Sequence, residues 1–500
     1  MEEKHNHNEN KIPERNRYVN NFAWRTLEHV GARGVGLLVS MILARMLLAE
    51  EYGEVAIITV ILNILSVFVD SGFAHALIQK KDADELDFSS VFFFNLSVCV
   101  VLYILMFAAA PFIAAFYRME HLKPVIRVQS LLLIISGVKS IQTAYVAKHM
   151  IFKRFFFATL GGTVGAAVIG IWMAYRGYGV WALVAQSLFN NTLDTIILWI
   201  TVKWRPTRQF SFARLKILFG FGSKLLLATL IDKSYWEVRQ LFIGRVYTSA
   251  DLAYFNKGGA LPNEIYQTIN NGLGDILFPA MSTVQDDIAR LKAWVKKSIL
   301  LHSFLFCPMM FGLASIAKPL ITVLFSDRWL EAVPYFQVLC LMYLFTSVAT
   351  PNVCAAKALG HSEVLLRINY IRAPLHLLGL FLTIHHSVMA VAIAAVVTTN
   401  IGCLLCACSS KKLFTYPLWR QITDMLPHLL LSLFMAGCVW TVTLLGWNAW
   451  LTLIIQVSLG VVLYVGGSLV LKFEMLPYTY NLAKEYLRRF RERSKKNDSI

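Results

Sequence analysis

The chain has 500 residues, of which 57% are hydrophobic and only 15% are charged. Soluble proteins typically carry about 25% charged residues, and the apolar residues here form blocks of about 20, the length that spans a bilayer core. The composition therefore excludes an ordinary soluble protein and predicts an all-α polytopic membrane protein. The net charge of +17 is typical of basic cytoplasmic loops. No separate polar domain is available for nucleic acid.

The apolar blocks predict about 14 transmembrane helices, each long enough to cross about 30 Å of hydrocarbon. The predicted spans are 22–48, 54–79, 90–116, 123–147, 157–175, 179–202, 217–244, 252–280, 297–325, 332–358, 364–385, 387–409, 425–446 and 449–471.

The polar segment 203–216 divides these spans after the sixth. We therefore predict a first lobe over 22–202, a second lobe over 217–409, and two further helices within 410–471. The segment 1–21 lacks the apolar core of a signal peptide. Basic residues concentrate on alternate connections, which predicts cytoplasmic N- and C-termini. The basic tail 472–500 either forms an amphipathic helix on the anionic inner leaflet or is solvated.

The seventh predicted span, 217–244, is long and mostly apolar but also carries several charged residues. Charged side chains at bilayer depth usually face a bundle interior or a water-filled cavity. Asp232 and Arg239 are seven residues apart and share a helix face, while Lys233 and Glu237 are four apart and can pair. Two interpretations follow: a polar stripe along an aqueous passage, or a shorter span ending near Leu230 with its charges among the headgroups.

The first span carries its own basic face. Arg25, His29 and Arg33 recur every four residues and so lie on one side of a helix. Arg33 is deeper and suits a cavity, whereas Arg25 either lines the cavity or sets topology at the cytoplasmic surface. Arg45 lies near the outer end and can snorkel. Because a guanidinium can donate two parallel hydrogen bonds to phosphate, these residues favour an anionic substrate.

Further charged residues lie in later spans. Asp70 is either hydrogen-bonded locally or a partner for an arginine of the first span. Lys139 and Lys257 are additional basic candidates. The chain lacks the GxxxxGK[ST] loop of nucleotide-driven transporters, so we expect an ion gradient, the membrane potential, the substrate gradient or a partner to drive transport. We expect no metal and no cofactor.

Several stretches, taken in chain order, resemble one family. They are ILARMLLAEEYG from Ile42, DSGF from Asp70, AYFNK from Ala253, LFPAMS from Leu277 and LFSDRW from Leu324. Together they resemble the polysaccharide and O-antigen flippases of the multidrug/oligosaccharidyl-lipid/polysaccharide (MOP) superfamily. The similarity is closest to the colanic acid and teichuronic acid exporter branch.

This resemblance implies two six-helix lobes around a central cavity and alternating access. It also implies movement of undecaprenyl-pyrophosphate-linked oligosaccharide to the outer leaflet of the bacterial inner membrane, by a transporter and not an enzyme. Arg33 and Arg45 match basic positions of the family, and Lys257 falls where relatives often carry arginine. Asp275 departs from the branch, which tends to have a basic residue there.

The expected partners are the lipid-linked oligosaccharide and membrane lipids, with polymerase or other glycan-assembly proteins as further partners. One alternative is a cation-coupled exporter of small molecules with the same fold, which would favour buried carboxylates over arginine. A membrane glycosyltransferase or polymerase is a second alternative. The short predicted outer loops argue against it.

Overall fold

The computed structural model describes residues 34–70, 73–80, 82–149 and 151–481, together with Gly31 and Lys484. Regular structure within these residues is helical throughout, which confirms the all-α prediction. Helices α1 to α9 are Gly34–Met46, Ala49–Asp70, Phe73–Gln79, Glu85–Tyr117, Leu122–Gln129, Leu131–His149, Phe152–Tyr175, Val180–Thr201 and Phe212–Val246.

Helices α10 to α18 continue to the C-terminal end of the described chain. They are Ser249–Ser282, Ile288–Ser315, Ala317–Phe325, Val333–Cys340, Thr346–Ala358, Ser362–Thr383, Val388–Phe414, Leu418–Thr441 and Ala449–Val470. Short 3₁₀ turns occupy Asp327–Ala332, Leu341–Tyr343 and Val442–Leu445.

Within the described residues, each predicted span corresponds to one helix or to consecutive helices. Nine segments of the described chain are long and apolar enough to cross a membrane, so this is a multi-pass membrane protein. The predicted number of 14 is not reached by that criterion. Helices α9 and α10 are long enough but do not meet it, and both carry several charged side chains.

The ninth predicted span, 297–325, is wrong as a continuous helix. Helix α11 begins at Ile288, capped by the Asp287 carboxylate, and ends at Ser315. Helix α12 then begins at Ala317. Pro319 explains the break, because proline lacks the N–H that would continue the α11 hydrogen-bond ladder and its ring clashes with the preceding turn.

The chain forms two compact units, one ending at Ala253 and the other beginning at Tyr254. Helix α9 belongs to the first unit, where it packs against α2, α3 and α4. Helix α9, which follows the polar segment 203–216, is thus in contact with helices that precede that segment. Side-chain contacts with α2, described below, explain why α9 stays with the helices that precede it.

Four turns of the first unit meet at one end. His121, before α5, pairs with Glu54 of α2 at 2.8 Å. A Cβ on Gly179, before α8, would lie 2.5 Å from the Glu51 carboxylate. A Cβ on Gly53 would lie 1.8 Å from the carbonyl oxygen of Ser249 at the start of α10. Only glycine therefore fits at position 53.

Polar contacts anchor the segment between α8 and α9 at the other end of the unit. The Ser89 and Ser90 hydroxyls accept backbone N–H groups of Thr207 and Ser211, both at 2.9 Å. Arg214 reaches the carboxylates of Asp84 at 3.3 Å and of fully buried Asp87 at 3.6 Å.

Lys80 also pairs with Asp87. The pKa of the Asp84 carboxyl lies below its ordinary value, first because the backbone N–H of Asp87 donates to it and also because Arg214 is near. These bonds fix the start of α9 against α4.

We expect Gly53→Ala to destabilise the protein by about 3 kcal/mol, because the added methyl overlaps backbone atoms that cannot move independently. Thermal unfolding of purified protein in detergent measures this. Gly437→Ala in α17 is the matched control. Its Cβ would meet open space, and alanine gains up to about 1 kcal/mol over glycine in a helix. Equal melting temperatures for Gly53→Ala and wild type would contradict the close contact.

Candidate functional site

A polar face of α9 packs against α2 in the first unit. The Asn63 side-chain amide donates to the Glu237 carboxylate at 3.1 Å, and Gln240 donates to its other oxygen at 2.8 Å. One turn away, the Lys233 ammonium donates to the Ser66 hydroxyl at 3.4 Å. Two antiparallel helices thus exchange polar contacts over more than one turn. This arrangement satisfies charged groups that would otherwise face an apolar bundle.

The predicted pair of Lys233 and Glu237 does not form among the described side chains, since each binds α2 instead. Arg239, two residues after Glu237, is half-buried. The side chains of Asp70 and Asp232 lie outside the described part of the structure. Asp70 ends α2, seven residues after Asn63, which places both on one face of that helix.

A buried ion pair joins α6 and α8. The Lys139 ammonium contacts the Asp194 carboxylate, and the side chains are 25% and 9% exposed. The neighbouring helix α7 approaches closely at this level, because a Cβ on Gly162 would lie 2.9 Å from the Asn190 carbonyl oxygen of α8. Because the Asp194 side chain is almost fully buried, its carboxylate would be destabilising there without the Lys139 ammonium.

In the second unit, Lys257 lies in an aromatic cage. Its ammonium is 4.8 Å from the Phe325 ring centroid and 5.5 Å from that of Trp329. Trp329 is fully buried and also packs edge-on against Tyr254 at 5.8 Å. A Cβ on Gly258 would lie 2.8 Å from the backbone nitrogen of Phe336. The stretch around Lys257 is therefore packed tightly against the segment that follows α12.

The rest of α10 presents polar and aromatic groups to the same unit. Tyr343 stacks on Tyr266 at 4.3 Å and donates its hydroxyl to the Asn263 amide oxygen at 3.1 Å. Thr350 of α14 donates to Asn270 at 2.5 Å. Helix α10 is thus held by directional bonds along much of its length, which compensates for its low apolarity.

The remaining predicted site residues contribute less. Arg25 and Arg33 lie outside the described residues. Arg45 is in the last turn of α1, with an exposed side chain. The structure therefore describes Arg45 in the first unit and Lys257 in the second.

Sequence reasoning missed Asp194 and the aromatic cage. A signal for Asp194 was present, since Lys139 and Asp194 are charges of opposite sign within two predicted spans of the same lobe. The cage had no such signal, because it depends on how α10 packs against a segment about 70 residues away.

The sequence matches the family described as "Polysaccharide biosynthesis protein" over residues 42–334, more than half of the chain. The chain belongs to this family. Its relatives include the succinoglycan biosynthesis transport protein ExoT of Rhizobium meliloti (strain 1021), which is 26% identical over 71% of this chain and 72% of that protein. The teichuronic acid biosynthesis protein TuaB of Bacillus subtilis (strain 168) is 24% identical over 60% of this chain and 62% of that protein.

Among solved structures, the fold is similar to that of the lipid II flippase MurJ in its inward closed conformation. The TM-score is 0.72 with 14% sequence identity, and the match covers 89% of this chain and 98% of that one. At this identity the similarity establishes the fold. The polysaccharide flippase resemblance read from the sequence motifs is thereby confirmed at the level of family and architecture.

We expect Lys139→Met to destabilise the protein by about 3–5 kcal/mol, because it leaves the Asp194 carboxylate buried without its partner. The double variant Lys139→Met with Asp194→Asn removes both charges and should recover most of the loss. Thermal unfolding in detergent measures both. Lys203→Met, at an exposed lysine, controls for loss of one positive charge. A double variant as unstable as the single one would argue against the ion pair.

Proposed function

We propose that this protein is a flippase that moves undecaprenyl-pyrophosphate-linked oligosaccharide, an O-antigen or exopolysaccharide repeat unit, across the bacterial cytoplasmic membrane. The observation that carries the proposal is the combination of family and fold. The chain belongs to a polysaccharide biosynthesis family, and 89% of it adopts the fold of a lipid II flippase. A relative of similar length is named as a transport protein for succinoglycan biosynthesis.

The polar interior of the helices supports this proposal. Helices α9 and α10, of 35 and 34 residues, each carry several charged and amide side chains along their length. Such residues usually mark substrate or ion pathways. Discontinuous helices also mark transport paths, and α11 and α12 are separated by a single residue.

We propose Arg25, Arg33, Arg45 and Lys257 as the basic groups that meet the pyrophosphate, and Asp70, Asp232, Glu237 and Arg239 as gating residues. Glu237 is supported by its bonds to α2, since an alternating-access transporter must break and remake polar contacts between helices. Alternating topology, with basic connections inside, supports cytoplasmic termini. Transport proceeds by alternating access and requires no catalytic residue. Glycan-assembly proteins such as a polymerase are proposed partners.

The decisive experiment is to identify what accumulates in cells that lack this protein. We expect an undecaprenyl-pyrophosphate-linked saccharide to build up on the cytoplasmic side, where a membrane-impermeant glycosidase added to intact cells cannot reach it. Extraction and mass spectrometry identify the saccharide. Unchanged levels of every lipid-linked saccharide, together with reduced efflux of cationic dyes, would instead favour the small-molecule exporter.

Variants at Lys257 distinguish a role in substrate binding from a role in folding. We expect Lys257→Met to lower transport at least about tenfold if a charged hydrogen bond to phosphate is lost. The aromatic contacts contribute about 0.5–2 kcal/mol, so the melting temperature should fall only slightly. Lys257→Arg, which keeps the charge, should retain most transport. Normal transport by Lys257→Met, or a large fall in folded protein, would contradict the substrate role.

A further inference from the structure

A cavity of about 630 Å³ opens where the α4–α5 and α9–α10 turns of the first unit meet. Its walls come from the C-terminal ends of α4 and α9 and from the start of α10. They include Tyr117, Arg118, Arg245, Tyr247, Thr248 and Asp251. The volume is within the range of small-ligand sites. This cavity is separate from the side chains assigned above to transport.

Two guanidinium groups line this cavity without a carboxylate partner. In the described part of the chain, neither Arg118 nor Arg245 forms an ion pair. One carboxylate, that of Asp251, also lines the cavity. Asp251 accepts both the backbone N–H and the hydroxyl of Thr248, at 3.1 and 2.7 Å. Glu54 is paired with His121.

Helix ends account for part of this placement. Arg245 lies in the last turn of α9 and Arg118 caps α4, and basic side chains are favoured at helix C-termini. The partial charge there is only about half an elementary charge, so two full positive charges are not neutralised. The two guanidinium groups outnumber the one carboxylate, Asp251, in the cavity wall, so the lining residues carry a formal net positive charge.

Packing of α9 against α4 and α2 holds Arg245 in place. The Arg245 guanidinium lies 4.9 Å from the Phe116 ring centroid. Buried Tyr117 donates its hydroxyl to the Leu241 carbonyl at 3.3 Å, tying α4 to α9. A Cβ on Gly244 would meet Ile57 of α2 at 3.0 Å. The Arg245 side of the cavity is therefore preorganised, and little conformational freedom is lost there when a ligand binds.

We propose that this cavity is a second phosphate-binding site, in which Arg118 and Arg245 together hold a phosphate group and the tyrosines flank the group attached to it. Arginine pairs suit phosphate because each guanidinium can donate two hydrogen bonds to its oxygens. The phosphate belongs either to the lipid-linked saccharide or to a membrane lipid headgroup. The first of these sources rests on the proposed function.

Equilibrium binding tests this site without requiring transport. The full-length protein is placed in phosphatidylcholine nanodiscs and titrated in separate arms with undecaprenyl pyrophosphate and with phosphatidylglycerol, and bound lipids per protein are counted by native mass spectrometry. We expect the double variant Arg118→Gln with Arg245→Gln to bind one lipid molecule roughly tenfold more weakly than wild type. At lipid concentrations that saturate wild type, the count of bound lipids should therefore fall by one. Loss only with undecaprenyl pyrophosphate identifies the substrate as the source. Loss only with phosphatidylglycerol identifies a headgroup.

Arg176→Gln is the matched control. Arg176 is also an arginine at a helix C-terminus over an aromatic ring, 5.7 Å from Trp172, but it does not line the cavity. The Arg176→Gln variant should bind both lipids as wild type does.

The single variant Arg118→Gln, at an exposed side chain, replaces the double variant in the assay if the double variant does not fold. Unchanged counts and affinities in both arms, or an equal loss in Arg176→Gln, would overturn the proposal. Failed transport with intact binding would count only against the proposed function.

Discussion

Burying a charge among apolar helices costs several kcal/mol unless the charge finds a partner, and this constraint organises the interior of both units. Glu237 is bonded to an amide on α2, Asp194 to the ammonium of Lys139, and Lys257 to two aromatic rings. Each of these interactions joins segments that are distant in sequence. The charges that weaken the apolar character of these helices therefore also specify how the helices pack.

Helix α9 shows the consequence for architecture. Its sequence follows the longest polar break before the tail, so a boundary at 203–216 is the natural prediction. Yet the polar segment is anchored at Ser89 and Ser90, and the helix itself is bonded to α2 along its polar face. A break in hydropathy marks where the chain leaves the membrane. It does not determine which helices pack together, because side-chain contacts across the break decide that.

The sequence was sufficient for the class of fold and for the approximate position of each helix, because length and apolarity alone determine what can span a bilayer. It failed where one residue acts locally, as at Pro319, whose missing N–H divides a long apolar block. The hydrogen-bonding partners of charged side chains were the hardest feature to predict. Lys233 and Glu237 have the spacing of a helical pair, but an amide and a hydroxyl on α2 compete for them, and a single sequence does not contain that distance.

The packing around Lys257 gives a structural explanation for the sequence stretches that carry the family resemblance there. Two of the stretches that carry the resemblance, AYFNK from Ala253 and LFSDRW from Leu324, meet in space. Tyr254 packs on Trp329, and Lys257 lies between Phe325 and Trp329. Both stretches therefore have a structural role in packing α10 against the segment after α12. The aromatic cage therefore gives Lys257 a packing role besides the proposed contact with substrate. Arg245 has one comparable contact, with the Phe116 ring, whereas the Arg118 side chain is exposed, and both arginines lie outside the stretches that carry the resemblance.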